Sequence, residues 1–293
     1  MDDFFALVRR HMIKFLRDKA AVFFSFLSIL IMLALYFLFI GRQYVAYESM
    51  DSLDEGFKTF LTTGIMMGGI LVINTVSLSL GIMGNVVLDI EQKRLDAFLV
   101  TPVRRSKVIL SYYAAAIIVT ATLTLVMWAL TYLYVGIRSG YWYDVLTVVQ
   151  VSGLLVAYTF VSSAFMIFMV TLIKTVNAFG TLSGVLGTFV GFVSGIYMPL
   201  FVLGETMTNV ASLVPFTHMT IILRRLLLAE PYSILEPDVP AWVMDDIRIH
   251  YGTNAVGVLG ADVGMGWIMA ATAILVVLAL YFSFQRMQKR MRR

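Results

Sequence analysis

Apolar runs of membrane-crossing length, broken by short clusters of charge, dominate the pattern along this chain. Reading from one charged residue to the next gives six uncharged windows, 20–41, 59–88, 108–137, 145–173, 175–204 and 263–285, and the shortest holds 22 residues. A helix crossing the hydrocarbon core needs about 20 mostly apolar residues. The windows therefore predict six spans, at about 20–41, 59–86, 108–136, 145–173, 176–198 and 264–285. A seventh window, 206–223, has 18 uncharged residues and is ambiguous. Pro215 interrupts any helix there by removing a backbone donor, and Pro199 does the same just before it. Two short re-entrant helices within 200–228 fit this stretch. The alternative is a plain surface loop, for which 210–214 and 221–228 are too apolar.

The ends and the last loop have patterns of their own. In residues 1–19, Phe4, Phe5, Val8, Met12, Phe15 and Leu16 recur at three- and four-residue spacing, with Arg10, Lys14 and Arg17 on a second face. That predicts an amphipathic interface helix, with basic side chains turned to anionic headgroups. A signal peptide is the rival reading, but its apolar core would be about 7–15 residues, against 22 here with no convincing small-residue cleavage site. Residues 286–293 form a basic tail suited to anchoring on the inner leaflet. The segment 229–262, with Pro231, Pro237, Pro240 and Trp242, predicts a small outer cap; an insertion or a partner contact is the other reading.

Composition turns the pattern into a class. The chain is 60% hydrophobic and 14% charged, against about 45–50% and about 25% in soluble domains. A soluble globule is excluded, and so is a disordered chain. The fold class is an all-α membrane protein with six transmembrane helices. Cysteine is absent, which removes disulfides, thiolate metal sites and thiol nucleophiles. His11, His218 and His250 lie far apart, with no metal-ligand spacing.

Charge sets the orientation. With six spans and both termini in the cytoplasm, sixteen of the 22 basic residues lie on the inner side, as the positive-inside rule requires. A seventh crossing would put the tail outside, against the rule. The expected location is a cell (inner, cytoplasmic) membrane, with a multi-pass chain.

Several chemistries are missing. No glycine precedes a lysine, so there is no phosphate-binding GxxxxGK[ST] loop, and neither GxSxG nor HExxH occurs. The spans are bare of carboxylates, leaving Asn74, Thr75, Ser79, Asn85, Thr120, Thr124, Thr159, Ser162, Ser163 and Asn177 among the polar groups at depth. A carrier driven by its own proton relay would need acidic or His residues there. Energy for uphill movement should come from another chain.

One inner loop has substantial sequence, 87–107. Asp89, Glu91, Lys93, Arg94 and Asp96 form a dense mixed-charge turn on a short helix, Leu95, Phe98 and Leu99 give it an apolar side, and Thr101-Pro102 ends it. The bland reading is a solvated hairpin; the sharper one is a docking helix for a cytoplasmic partner.

At this loop the chain resembles the type-2 ABC exporter permease family, in particular daunorubicin-resistance-type multidrug and lipid exporter permease subunits. That family has an N-terminal interface helix, six spans, and a coupling helix between the second and third. Its charged loop runs into a leucine-rich stretch and Thr-Pro, as Asp89, Glu91, Asp96, Leu99, Val100, Thr101 and Pro102 do here. A Gly-Thr common in the middle is replaced by Lys93-Arg94. Gly195, Pro199, Leu213, Pro215 and Arg224-Arg225 resemble the family's re-entrant region after the fifth span.

The resemblance implies a permease subunit moving a hydrophobic or amphipathic drug, lipid or peptide outward. The motor would be a separate cytoplasmic ABC ATPase holding ATP and Mg, with no cofactor in this chain. Asp89, Glu91, Lys93, Arg94, Asp96, Phe98, Thr101 and Pro102 become the ATPase-coupling residues. Two copies, or this chain and a related permease, would enclose a path in the bilayer lined by the second and fifth spans, with Met66, Met67, Asn74, Phe189 and Phe192 along it. Glycines at Gly64, Gly68, Gly69, Gly81 and Gly84, and at Gly180, Gly184, Gly187, Gly191 and Gly195, allow close approach of these helices; ordinary packing within one chain is the equal alternative. No nucleic-acid partner is expected. Two other functions stay open: a non-transporting immunity or sensor subunit, and an intramembrane lipid-modifying enzyme using His218 with Asn209 or Glu205.

Overall fold

The computed structural model describes residues 2–23, 27, 54–95, 103–197, 200–237, 239–254, 257–261 and 263–290. Most of the first predicted span and residues 96–102 of the predicted coupling loop lie outside them. Everything described is helical or loop; no strand occurs among these residues. The helices are α1 (Asp2–Arg17), α2 (Glu55–Glu91), α3 (Arg105–Ser139), α4 (Val145–Thr171), α5 (Val176–Val193), α6 (Gly204–Ser212), α7 (Pro215–Leu235), α8 (Ala241–His250) and α9 (Met265–Arg290), with a 3-10 turn at Leu200–Leu203 before α6.

Five of these, α2, α3, α4, α5 and α9, are long and apolar enough to cross a membrane. The pair α6 and α7 is bent by 94° at Leu213–Val214. Pro215 occupies the first position of α7, where its missing N–H costs nothing. Local chemistry sets the other ends. Asp54 caps α2 by accepting the Gly56 and Phe57 N–H groups at 2.9 and 3.3 Å. Asp144 and Thr175 cap α4 and α5 in the same way. Gly140 closes α3 at φ 76°, a left-handed conformation that glycine adopts without a Cβ penalty.

α2 is the axis of the bundle. Its 37 residues, at 1.5 Å each about 55 Å long, outreach the roughly 30 Å hydrocarbon core. It extends past the predicted 59–86 at both ends. α3, α4, α5 and α7 surround it, so a helix apolar all round is buried all round. α9 rides on α4 at the periphery and keeps most of its span exposed. α1 lies across the ends of α3 and α2. It inserts Leu7, Val8, His11 and Phe15, while Phe5 and Leu16 stay exposed. A second core cluster joins α2, α7 and the α8 region through Phe57, Leu61, Leu228, Tyr232, Met244, Ile247 and Tyr251. The segment after α7 is thus a packed cap on the bundle.

The two ends of the bundle differ in chemistry. One carries Trp142, Trp242 and Trp267, all at least half exposed, as residues of an interfacial aromatic belt are. The other gathers α1, the end of α2, the start of α3 and the basic end of α9.

Candidate functional site

The site builds from Asp89, which has no exposed surface. A carboxylate taken out of water needs cations and donors. Lys14 Nζ on α1 donates to Oδ1 at 2.8 Å, and the Tyr112 hydroxyl on α3 donates to Oδ2 at 2.6 Å. Arg10 lies 3.5 Å from Oδ2 and Arg94 3.8 Å from Oδ1. The main-chain carbonyl of Asp89 accepts the Arg94 N–H at 2.9 Å. One residue therefore ties together α1, the last turn of α2, the turn that follows it, and α3. Lys107 of α3 and Asp3 of α1 add an exposed pair at 3.9 Å.

His11 sits beside this joint, stacked on Tyr112 with ring centroids 3.7 Å apart. Neither ring nitrogen finds a hydrogen-bond partner among the described residues. Burial first, and then the Arg10 charge, push its pKa down to about 3, so the ring is neutral and serves as packing.

Two expectations change here. Asp89 and Glu91 stand on the last turns of α2 itself, and the chain leaves the helix only at Gln92–Leu95. Arg10 and Lys14, expected to face lipid headgroups, turn inward because a buried carboxylate outcompetes water and lipid for them. Lys93 takes φ 53°, a left-handed conformation that glycine favours, and this is where the resembling family commonly has Gly. Glu91, Lys93 and Arg94 are exposed, and Glu91 forms no ion pair among the described residues. Asp96, Phe98, Thr101 and Pro102 lie outside those residues.

The path residues do not share one surface in this chain. Met66, Met67 and Asn74 are buried in the core around α2. Thr131 donates to the Met67 sulfur at 3.4 Å, and the Asn74 amide donates to Thr124 at 3.3 Å. Phe189 and Phe192 are half-exposed on α5. Asn74 belongs to a ladder of small polar groups between spans. Thr75 meets Ser162 at 2.8 Å, and Ser79 meets Ser163 at 3.0 Å and Thr120 at 3.3 Å. These groups bind α2, α3 and α4 to each other, which leaves little of them for a transported molecule.

The glycines divide likewise. Gly64, Gly68, Gly69 and Gly84 of α2 are closed in from within the chain: a Cβ at Gly68 would lie 2.4 Å from Arg224 Cγ, and one at Gly69 2.4 Å from Ile196. On α5, a Cβ at Gly180, Gly184 or Gly187 meets nothing within 4 Å, whereas Gly191 is covered by the Tyr197 ring. The smooth α5 face is therefore open over its first three glycines and closed at the fourth.

Arg224 holds the bent pair against the bundle. Its Nε donates to the Ile65 carbonyl at 3.1 Å and its Nη2 to the Gly195 carbonyl at 3.0 Å. His218 Nε2 stands 2.7 Å from the Ser212 carbonyl, buried between α7 and the end of α6. That is a structural brace, and Glu205 is exposed on the first turn of α6. Among the described residues no cluster of His, Asp or Glu could hold a metal. A sequence signal for the partners of Asp89 exists. A lone carboxylate at the edge of a 30-residue apolar window demands a cation, and Arg10 and Lys14, one helical turn apart, supply two.

The described residues thus form a helical bundle with spans long and apolar enough for a membrane and a charged joint at one end. The family model of ABC-2 type transporters matches residues 2–228, and the chain belongs to that family. A comparison with curated proteins finds no match. Permeases of this family work with an ATPase subunit.

Proposed function

We propose that the chain is the permease of an exporter that moves a hydrophobic or amphipathic drug, lipid or peptide outward, driven by a separate cytoplasmic ABC ATPase. ATP and Mg are held by that ATPase, and two permeases, identical or related, form the transporter. The observation that carries this reading is the joint at Asp89. The turn Gln92–Leu95, exposed except for the buried Leu95, is bonded to the Asp89 main chain, whose side chain in turn holds α1 and α3, so this joint is suited to pass a push on the turn to those elements. Glu91, Lys93 and Arg94 offer mixed charge to the ATPase, and Asp96, Phe98, Thr101 and Pro102, which follow in sequence, complete the proposed coupling set. Both termini lie in the cytoplasm on this reading, and the aromatic end faces outward. The open glycine face of α5, with Gly180, Gly184 and Gly187, faces the second permease or the path, while Phe192 lies about a third of a turn around the helix and Phe189 lies on the opposite side, on the wall of a cavity shared with α4 and α9. The apolar character of that face suits a hydrophobic cargo better than an ion, which needs charged rings or carbonyl coordination. The bond of His218 Nε2 to the Ser212 carbonyl favours a structural role for that ring over the enzyme reading.

Co-purification tests the proposal. A tagged chain should bring down an ABC ATPase, and Glu91→Arg should lower transport-coupled ATP hydrolysis by about tenfold while leaving the purified chain folded, the loss expected from one charge-assisted contact. Recovery of no ATPase, together with full function in Glu91→Arg, overturns it.

A further inference from the structure

One helical face of α4, Gln150, Leu154, Ala157, Val161, Phe165 and Phe168 at spacings of three and four, lines two cavities in succession. The deeper one, about 530 Å³, lies between α4, α5, the first turn of α7 and α9. Among the described residues Thr272 is the one polar side chain on its wall, and its hydroxyl already donates to the Ile268 carbonyl at 2.9 Å. A void of this size is in the ligand-site range of about 300–1,000 Å³, and an apolar wall does not hold water. Surrounded by spans, it suits hydrocarbon.

The second cavity, about 550 Å³, opens at the aromatic end between α4, α7 and Met265. Its floor is apolar, but Arg225 and Gln150 stand on its wall. Arg225 uses Nε on the Thr253 carbonyl, and its terminal nitrogens make no ion pair among the described residues. The Gln150 amide makes no hydrogen bond among those residues either. Glu230, one turn beyond Leu226, is engaged elsewhere, since its Oε1 accepts the Asp144 N–H at 3.0 Å and the Thr147 hydroxyl at 2.6 Å. The rim stands at headgroup level, because Trp142 precedes α4 and Trp267 lies two residues past Met265.

We propose that this seam holds a glycerophospholipid of the surrounding bilayer. Its phosphodiester sits on Arg225 and Gln150, and one acyl chain lies in the deeper cavity. A guanidinium whose terminal N–H groups make no ion pair among the described residues suits a phosphate, and a dry apolar pocket beneath it suits the tail. Free phosphate would use only the rim. The lipid is resident rather than cargo, so the site stands whether or not the export reading holds.

The test is native mass spectrometry of the full chain, with any co-purifying subunit, released from nanodiscs of phosphatidylethanolamine and phosphatidylglycerol. The wild type should retain phospholipid. Arg225→Ala should reduce the retained fraction about tenfold, the loss of one charge-assisted contact. Gly153→Trp should reduce it similarly, because it fills the outer cavity from a position where an added Cβ meets nothing within 4 Å; it also keeps the test decisive if Arg225→Ala fails to fold. Arg138→Ala, an exposed cation at the same end, should change nothing. Addition of inorganic phosphate should not displace the lipid. A wild type that retains no phospholipid overturns the proposal. So does retention at wild-type level in both Arg225→Ala and Gly153→Trp, or displacement by phosphate alone.

Discussion

A carboxylate with no exposed surface has to be neutralised where it stands, and Asp89 has three cations and a phenol around it. Asp89→Asn keeps the shape and the Tyr112 contact but removes the charge that Lys14 and Arg10 answer. It should weaken docking of α1 by about 2–4 kcal/mol, the range for breaking hydrogen bonds to buried charges, read as earlier proteolytic release of α1. A Lys14→Gln partner variant should show strong coupling in a double-mutant cycle. His11 adds a pH dependence. The groups facing it are Arg10 and Lys14 on α1, Asp89 on α2 and Tyr112 on α3. Its folded pKa, about 3, lies below the ordinary 6.5, so the unfolded chain binds the proton first. Its contribution is complete above about pH 6.5 and falls as the pH drops toward 3. Between pH 7 and 5 the loss should reach about 2 kcal/mol. Thermal melting should show it, and His11→Phe, which keeps the stack on Tyr112, should flatten the profile. Lys93 at φ 53° makes a third case: Lys93→Gly should stabilise the turn by up to about 1 kcal/mol, seen as a higher melting temperature.

At the scale of helices, glycine spacing marks close approach but does not say to what. The α2 and α5 glycines read alike in sequence, and only the neighbours separate them. Gly68→Ala drives a methyl into Arg224 Cγ at 2.4 Å and should cost about 1–3 kcal/mol. Gly184→Ala points into open space and should leave the folded chain unchanged or up to about 1 kcal/mol more stable. Melting of the purified variants compares them, and any loss of assembly in Gly184→Ala alone would assign that face to a second chain. Polar side chains carry the same ambiguity. Thr75, Ser79, Ser162 and Ser163 were legible as polar groups at membrane depth, but pairing across α2 and α4 depends on helix rotation, which composition does not encode. The α6–α7 break was legible because Pro215 cannot continue a helix, whereas the roles of His218 and Arg224 as braces depend on the fold that brings Ser212, Ile65 and Gly195 to them.

For the whole molecule, the absence of cysteine makes single-cysteine labelling clean. With the aromatic end outward, an impermeant maleimide should label Trp242→Cys in intact cells, and should reach Arg17→Cys or Lys289→Cys only after permeabilisation. The reverse pattern would invert the orientation. The sequence by itself determined the class, five of the spans and the helix at the start of the chain, because each is a matter of local composition: about 20 apolar residues suffice for a span. Only the tertiary structure decided which charges are exposed and which are spent, which glycines are filled, and where cavities lie. Those are properties of contacts between segments as distant as Lys14 and Asp89 or Arg224 and Ile65, and no pattern along one segment specifies the neighbour it will meet.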